Sequence, residues 1–191
     1  ALLDRFDVKQ AVVCGLSVGG MIAQGLHAKR PDLVKALVLS DTAHRIGTAE
    51  IWDARIESVE THGIESLADA VMERWFTPAF RRPENAAYNG YRNMLTRQSA
   101  VGYAATCAAL RDADLTEAAR GISVPTLCVV GDHDGSTPPD VVLSLAKLVP
   151  GARYEVIKDA GHIPCVEQPE VLAAMIRAFV DALPAAQKSV S

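Results

Sequence analysis

The sequence has no apolar run approaching the ~20 residues that a membrane-spanning helix requires, and no stretch with the form of a signal peptide. It has no long block of like charge, which removes a nucleic-acid or anionic-membrane surface from consideration. No C-x-x-C pair occurs. Cys14, Cys107, Cys128 and Cys165 are widely spaced, so a metal site or disulfide framework is not expected. Buried or semi-buried thiols in a reduced cytoplasmic setting are the expectation instead. A metal hydrolase fails for want of a histidine–carboxylate cluster at ligand spacing. Internal repeats and low-complexity tracts are absent too.

What is present suits one globular domain with a sizeable core: 191 residues, 49% apolar, 22% charged, with a formal net charge of -4. The opening "ALLDRFDVKQ" has Leu2, Leu3 and Phe6 on one side and no capping residue before them. It reads as the tail of an amphipathic helix, and the chain as the later part of something longer.

Apolar runs predict strands over Gln10–Cys14, Val34–Asp41, Val124–Asp132 and Ala152–Ala160. Their Val, Leu and Ile content, separated by helical patterns, is what a parallel sheet buried on both faces requires. Helices are predicted at Val18–Lys29, along "PPDVVLSLAKLVP" and along "EQPEVLAAMIRAFVDAL". The first ends at "RPD", because the residue before a proline is biased away from helical geometry. From Thr42 to Gly121 the pattern becomes helical throughout, with about five segments and no strand. An insertion of that length suggests a lid or cap. The expected division is an α/β core over residues 1–42 and 121–184, a helical cap over 43–120 and a flexible tail over 185–191.

Chemistry enters with "AVVCGLSVGGMIAQGL", where Ser17 sits between Gly15 and Gly19 as a strand gives way to a helix. The plain reading is a turn. The sharper one is a nucleophile elbow, with glycines where strand and helix approach closely. A serine nucleophile needs a base, and the base an orienting acid. His162, in "DAGHIPC", follows the last strand, so it reaches the same sheet edge as Ser17, where open α/β sheets bind ligands. His27 reads as packing or surface, and His44 and His62 lie in or beside the cap. "VPTLCVVGDHDGSTPP" delivers Asp132, His133 and Asp134 to that edge. Asp134, further into the loop, is the orienting acid, whereas Asp132 braces the turn. Ser, Asp and His then follow the chain order of the α/β-hydrolases.

The chain resembles the α/β-hydrolase superfamily, and more narrowly the 3-oxoadipate enol-lactonases of aromatic catabolism. "ALVLSDTAHRIGTAEIWDARI", "ERWFTPAFR", "NMLTRQSAVGYAATCAALRDADLT" and "AGHIPCVEQPE" carry the narrower likeness. The resemblance implies hydrolysis of a small-molecule enol-lactone to 3-oxoadipate without a cofactor, with Ser17 as nucleophile, Asp134 as orienting acid and His162 as base. It implies Val18 N–H as one oxyanion donor, and Trp52 as a wall of the substrate pocket. Family members carry further strands and a second oxyanion donor before the elbow. The implied partner is thus a preceding segment, or a second chain, that completes the sheet. For the substrate carboxylate, Arg45, Arg92 and Arg97 are all candidates; Cys165, Met21 and Ile22 read as packing residues. Rival readings are another serine esterase, a C–C bond hydrolase of the same fold, or a ligand-binding protein without catalysis.

Overall fold

The computed structural model describes residues 2–184; the predicted tail at 185–191 lies outside them. Four parallel strands, β1 (Ala11–Leu16), β2 (Val34–Ser40), β3 (Thr126–Gly131) and β4 (Arg153–Ile157), form one sheet in the order β1-β2-β3-β4. Side chains alternate across a strand, and the two faces divide accordingly. Leu37, Leu39, Cys128 and Val130 point to one side, where α2 (Val18–Lys29) and α8 (Pro139–Leu148) contribute Ala23, Val142 and Leu145. Ala36, Val38, Leu127 and Val129 point to the other, against Leu172 and Phe179 of α10 (Pro169–Asp181). Helices on both faces explain why β2 and β3 are apolar almost throughout.

Between β2 and β3 the chain forms α3 (Ala49–His62), α4 (Ala68–Trp75), α5 (Ala86–Thr96), α6 (Ala100–Asp112) and α7 (Thr116–Arg120). Local chemistry marks the ends. The Asn85 side chain accepts from Ala87 N–H at 3.0 Å to cap α5, and Gly63, at φ 76°, closes α3. Val59, Val71, Met72, Phe76 and Leu95 form the insertion's own apolar centre, with Phe80 stacked on Phe76 at 4.6 Å. A second cluster joins the insertion to the sheet: Trp52 and Cys107 meet Met21 of α2 and Ala43 beyond β2.

Several predicted bounds shift. Strand β1 runs on through Gly15 and Leu16, which pair with Leu39 and Ser40, so the ladder continues up to the turn. Strands β3 and β4 are shorter than their apolar runs. Within the insertion a 3-10 turn at Ile64–Leu67 leads into α4. A short helix α9 (Pro164–Glu167) precedes α10. At the start, α1 (Leu2–Arg5) is one turn long; Leu2 and Phe6 are 71% and 69% exposed and Leu3 is half-buried, so the predicted apolar side is left mostly in solvent. The thiols divide: Cys107 and Cys128 are buried and Cys14 and Cys165 exposed, all four free.

Candidate active site

Ser17 stands between β1 and α2 with φ 55° and ψ -121°, a left-handed backbone that serine adopts only under constraint. The constraint comes from its surroundings. Ser17 N–H donates to Ser40 O at 3.0 Å, and its carbonyl accepts from Gly20 N–H at 2.9 Å and from Thr42 Oγ1 at 2.6 Å. A Cβ on Gly15 would lie 2.2 Å from Gly19 O, and one on Gly20 2.5 Å from the Thr42 side chain. Close approach therefore demands glycine at 15 and 20. Position 19 is open, contrary to the expectation that both glycines flanking the serine are sterically required. The Ser17 hydroxyl makes no hydrogen bond among the described residues, and Val18 N–H at the start of α2 likewise has no partner there. Val18 itself is 38% exposed.

Beyond β3 and β4, His162 Nδ1 and Asp134 Oδ2 lie 2.9 Å apart, both residues 4% exposed. Asp134 Oδ1 accepts from Ser136 N–H at 2.7 Å and Thr137 N–H at 3.0 Å, and Oδ2 from Thr137 Oγ1 at 2.7 Å. Burial works against the Asp134 carboxylate, but the hydrogen bond and charge of His162, aided by Thr137, outweigh it and hold its carboxyl below the usual range. Asp132 braces the turn as expected: Oδ1 accepts from Ala160 N–H at 3.3 Å.

The histidine loop reaches the end of β2, where a ring nitrogen of His162 lies within 4.8 Å of an oxygen of Asp41, the residue after the strand. Partial desolvation and, after it, the charge of Cys165 push the Cys14 thiol up. Two attachments fix the loop. His162 N–H donates to Trp75 O at 2.9 Å, and Glu167 spans the loop and the insertion. Its Oε2 accepts from Gly161 N–H at 2.7 Å, while Oε1 accepts from Thr77 N–H at 3.0 Å and Thr77 Oγ1 at 2.6 Å. A groove of about 460 Å³, lined by Phe80, Asn85 and His133 among others, runs along the outer side of this clamp and does not include Ser17, Asp134 or His162.

Trp52 is 7% exposed, and its Nε1–H donates to Ile46 O at 2.6 Å, leaving only its ring surface for other contacts. Arg55 lies over that ring, 4.8 Å from its centroid. Arg74 packs on the acid loop: its carbonyl accepts from Gly135 N–H at 3.1 Å, and a Cβ on Gly135 would touch it at 3.0 Å. Burial, then the nearby Arg55 charge, push the Arg74 guanidinium down, against weaker pulls from Tyr103 and Glu73. Neither arginine has a carboxylate within salt-bridge distance among the described residues. The sequence candidates fare differently. Arg92 is spent on Glu65 at 2.7 Å and Asp69 at 3.2 Å, and Arg45 and Arg97 are exposed. Of the remaining histidines, His27 is buried with Nε2 unpartnered, and His44 is half-buried with Nδ1 unpartnered. Sequence reasoning missed Asp41, Glu167, Arg55 and Arg74.

Residues 1–169 match the family described as the alpha/beta hydrolase fold. The chain is 34% identical over 180 residues to 3-oxoadipate enol-lactonase 2 of Acinetobacter baylyi, covering 94% of this chain and 67% of that protein. The crystal structure of the enol-lactonase from Burkholderia xenovorans superposes with a TM-score of 0.89 at 36% identity, over 94% of this chain and 69% of that one. A thermophilic esterase from Thermogutta terrifontis, solved with malate bound, follows at TM-score 0.86 and 28% identity, over 95% and 69%. The chain belongs to the α/β-hydrolase fold family and is a relative of the 3-oxoadipate enol-lactonases.

Proposed function

We propose that the protein carrying this chain hydrolyses 3-oxoadipate enol-lactone to 3-oxoadipate, as a cytoplasmic step of aromatic-compound catabolism, with Ser17 as nucleophile. The observation that carries the reading is the buried His162–Asp134 pair, 2.9 Å apart, at the sheet edge where Ser17 is held at φ 55°. In the reaction His162 takes the hydroxyl proton as Ser17 Oγ bonds to the lactone carbonyl carbon. Val18 N–H, with a second donor from outside this chain, holds the oxyanion. The ring C–O bond then breaks, His162 returns the proton to the departing oxygen, and the enol tautomerises to a ketone. Water, deprotonated by His162, attacks the acyl carbon and frees Ser17. Trp52 walls the pocket. The guanidiniums of Arg55 and Arg74, which no carboxylate among the described residues pairs, supply the cations that the substrate carboxylate needs, in place of Arg45, Arg92 or Arg97.

The test is Ser17→Ala in the intact protein, assayed with the enol-lactone. Turnover is expected to fall by at least about 10⁴-fold with the fold unchanged. Wild-type turnover would end the reading. The likeness to an esterase structure favours one rival, a simple carboxylic esterase on the same residues. A kcat/KM for plain aryl esters above that for the enol-lactone would establish that rival.

A further inference from the structure

Strand β2 leads into a second buried carboxyl that the chemistry above leaves unused. Asp41 is fully buried at φ 48°, and its N–H donates to Val129 O at 2.8 Å. Its Oδ1 accepts from Gly131 N–H at 2.9 Å and its Oδ2 from Ser40 Oγ at 2.6 Å. One oxygen of Asp41, one of Asp134 and a ring nitrogen of His162 all lie within 4.8 Å of one another.

Two carboxylates so close and so buried do not both stay charged. The donors decide which keeps the charge. Asp134 receives Ser136 N–H, both Thr137 groups and His162, whereas Asp41 receives Gly131 N–H and the Ser40 hydroxyl. Burial, with the Asp134 charge adding to it against the pull of Ser40 and Gly131, pushes the Asp41 carboxyl up to about 8.

We propose that Asp41 is a positioning residue whose protonated carboxyl donates a hydrogen bond to Asp134 and holds that carboxylate against His162 Nδ1. The role rests on His162 and Asp134 acting as the proposed base and acid. Loss of the proton replaces the hydrogen bond with repulsion and loosens Asp134 from the imidazole. The charged or titratable groups facing Asp41 are Asp134 from the loop after β3, His162 from the loop after β4, and Cys165 of α9. Ser40 and Gly131 complete its surroundings from the two strand ends.

The test compares wild type, Asp41→Asn and Asp41→Ala in the intact protein between about pH 5 and 10. One readout is the downfield proton resonance of the His162–Asp134 hydrogen bond, recorded in a Ser17→Ala background. The other is kcat and KM for the enol-lactone. In the wild-type Asp41 background the resonance is expected to weaken with a midpoint near pH 8, where the Asp41 carboxyl titrates. Wild-type kcat is expected to fall about tenfold above that point while KM holds within about twofold. Asp41→Asn, a neutral donor of the same shape, should remove the fall above pH 8 from both readouts. Asp41→Ala should weaken the resonance at every pH and lower kcat by about tenfold. Superimposable wild-type and Asp41→Asn profiles would overturn the proposal, as would an Asp41→Asn variant as impaired as Asp41→Ala. If Ser17→Ala keeps wild-type turnover, the proposed function fails by itself; the resonance still reports on Asp41.

Discussion

The carbonyl of Trp75 accepts the backbone N–H of His162, so the loop carrying the imidazole hangs from the last turn of α4. The same carbonyl would lie 2.4 Å from a Cβ on Gly161, and the Trp75 and His162 rings stack at 6.5 Å. The insertion thus positions the histidine.

Glu167 reinforces that link, and its loss should be felt in both stability and turnover. Glu167→Ala strands Gly161 N–H and Thr77 N–H, at a cost of about 1–3 kcal/mol. Because the histidine loop is then freed, kcat should drop about 10-fold or more with little change in KM. Denaturant unfolding and steady-state kinetics check the two effects.

The glycines around Ser17 should separate cleanly. Gly15→Ala drives a Cβ into backbone atoms at 2.2–2.6 Å and should cost about 1–3 kcal/mol or more, or prevent folding. Gly19→Ala meets nothing within 4 Å inside helix α2, so it should be neutral or stabilise by about 0.5–1 kcal/mol. Urea midpoints of the two variants measure the contrast.

Asp41 makes stability depend on pH in a direction unusual for a carboxyl. Its folded-state pKa, about 8, lies above the ordinary 3.8, so the native protein keeps a proton that the unfolded chain has lost. That contribution is complete below about pH 4 and disappears as pH rises toward 8, a change on the order of a few kcal/mol. Asp41→Asn should flatten the fall. Asp134, shifted the other way, acts in a separate window: its contribution is present above about pH 4 and lost on further acidification. Unfolding free energies at pH 5 and pH 8 for wild type and Asp41→Asn give the comparison.

Arg55 and Arg74 should reveal themselves through substrate choice. Arg55→Ala and Arg74→Ala are each expected to raise KM about 10–100-fold for an ester bearing a free carboxylate, and to leave a neutral aryl ester within about threefold. Equal losses on both substrates would assign the pair a purely structural role.

Much of the sheet was legible because burial on both faces writes itself as unbroken apolar runs, as in "VKALVLS" and "TLCVVG". The pairing of Asp134 with His162 was legible because each lies in the loop after a strand, β3 and β4. Asp41 was not: after "LVLS" an aspartate reads as an ordinary turn residue, and only the fold puts it beside an aspartate 93 positions later. Glu167 eluded sequence reasoning because its partner Thr77 is 90 residues away. Arg55 and Arg74 belong to different helices, and the periodicity of one helix says nothing about which side chains a second helix brings opposite.

Strand β1 pairs with β2 along one side only among the described residues, and its other rail of amide and carbonyl groups meets no strand. A bare rail of that kind is adhesive. Residues 1–191 made alone should gather into oligomers through this seam, and a polypeptide that adds a β-strand there should dissolve them, a change that light scattering would register.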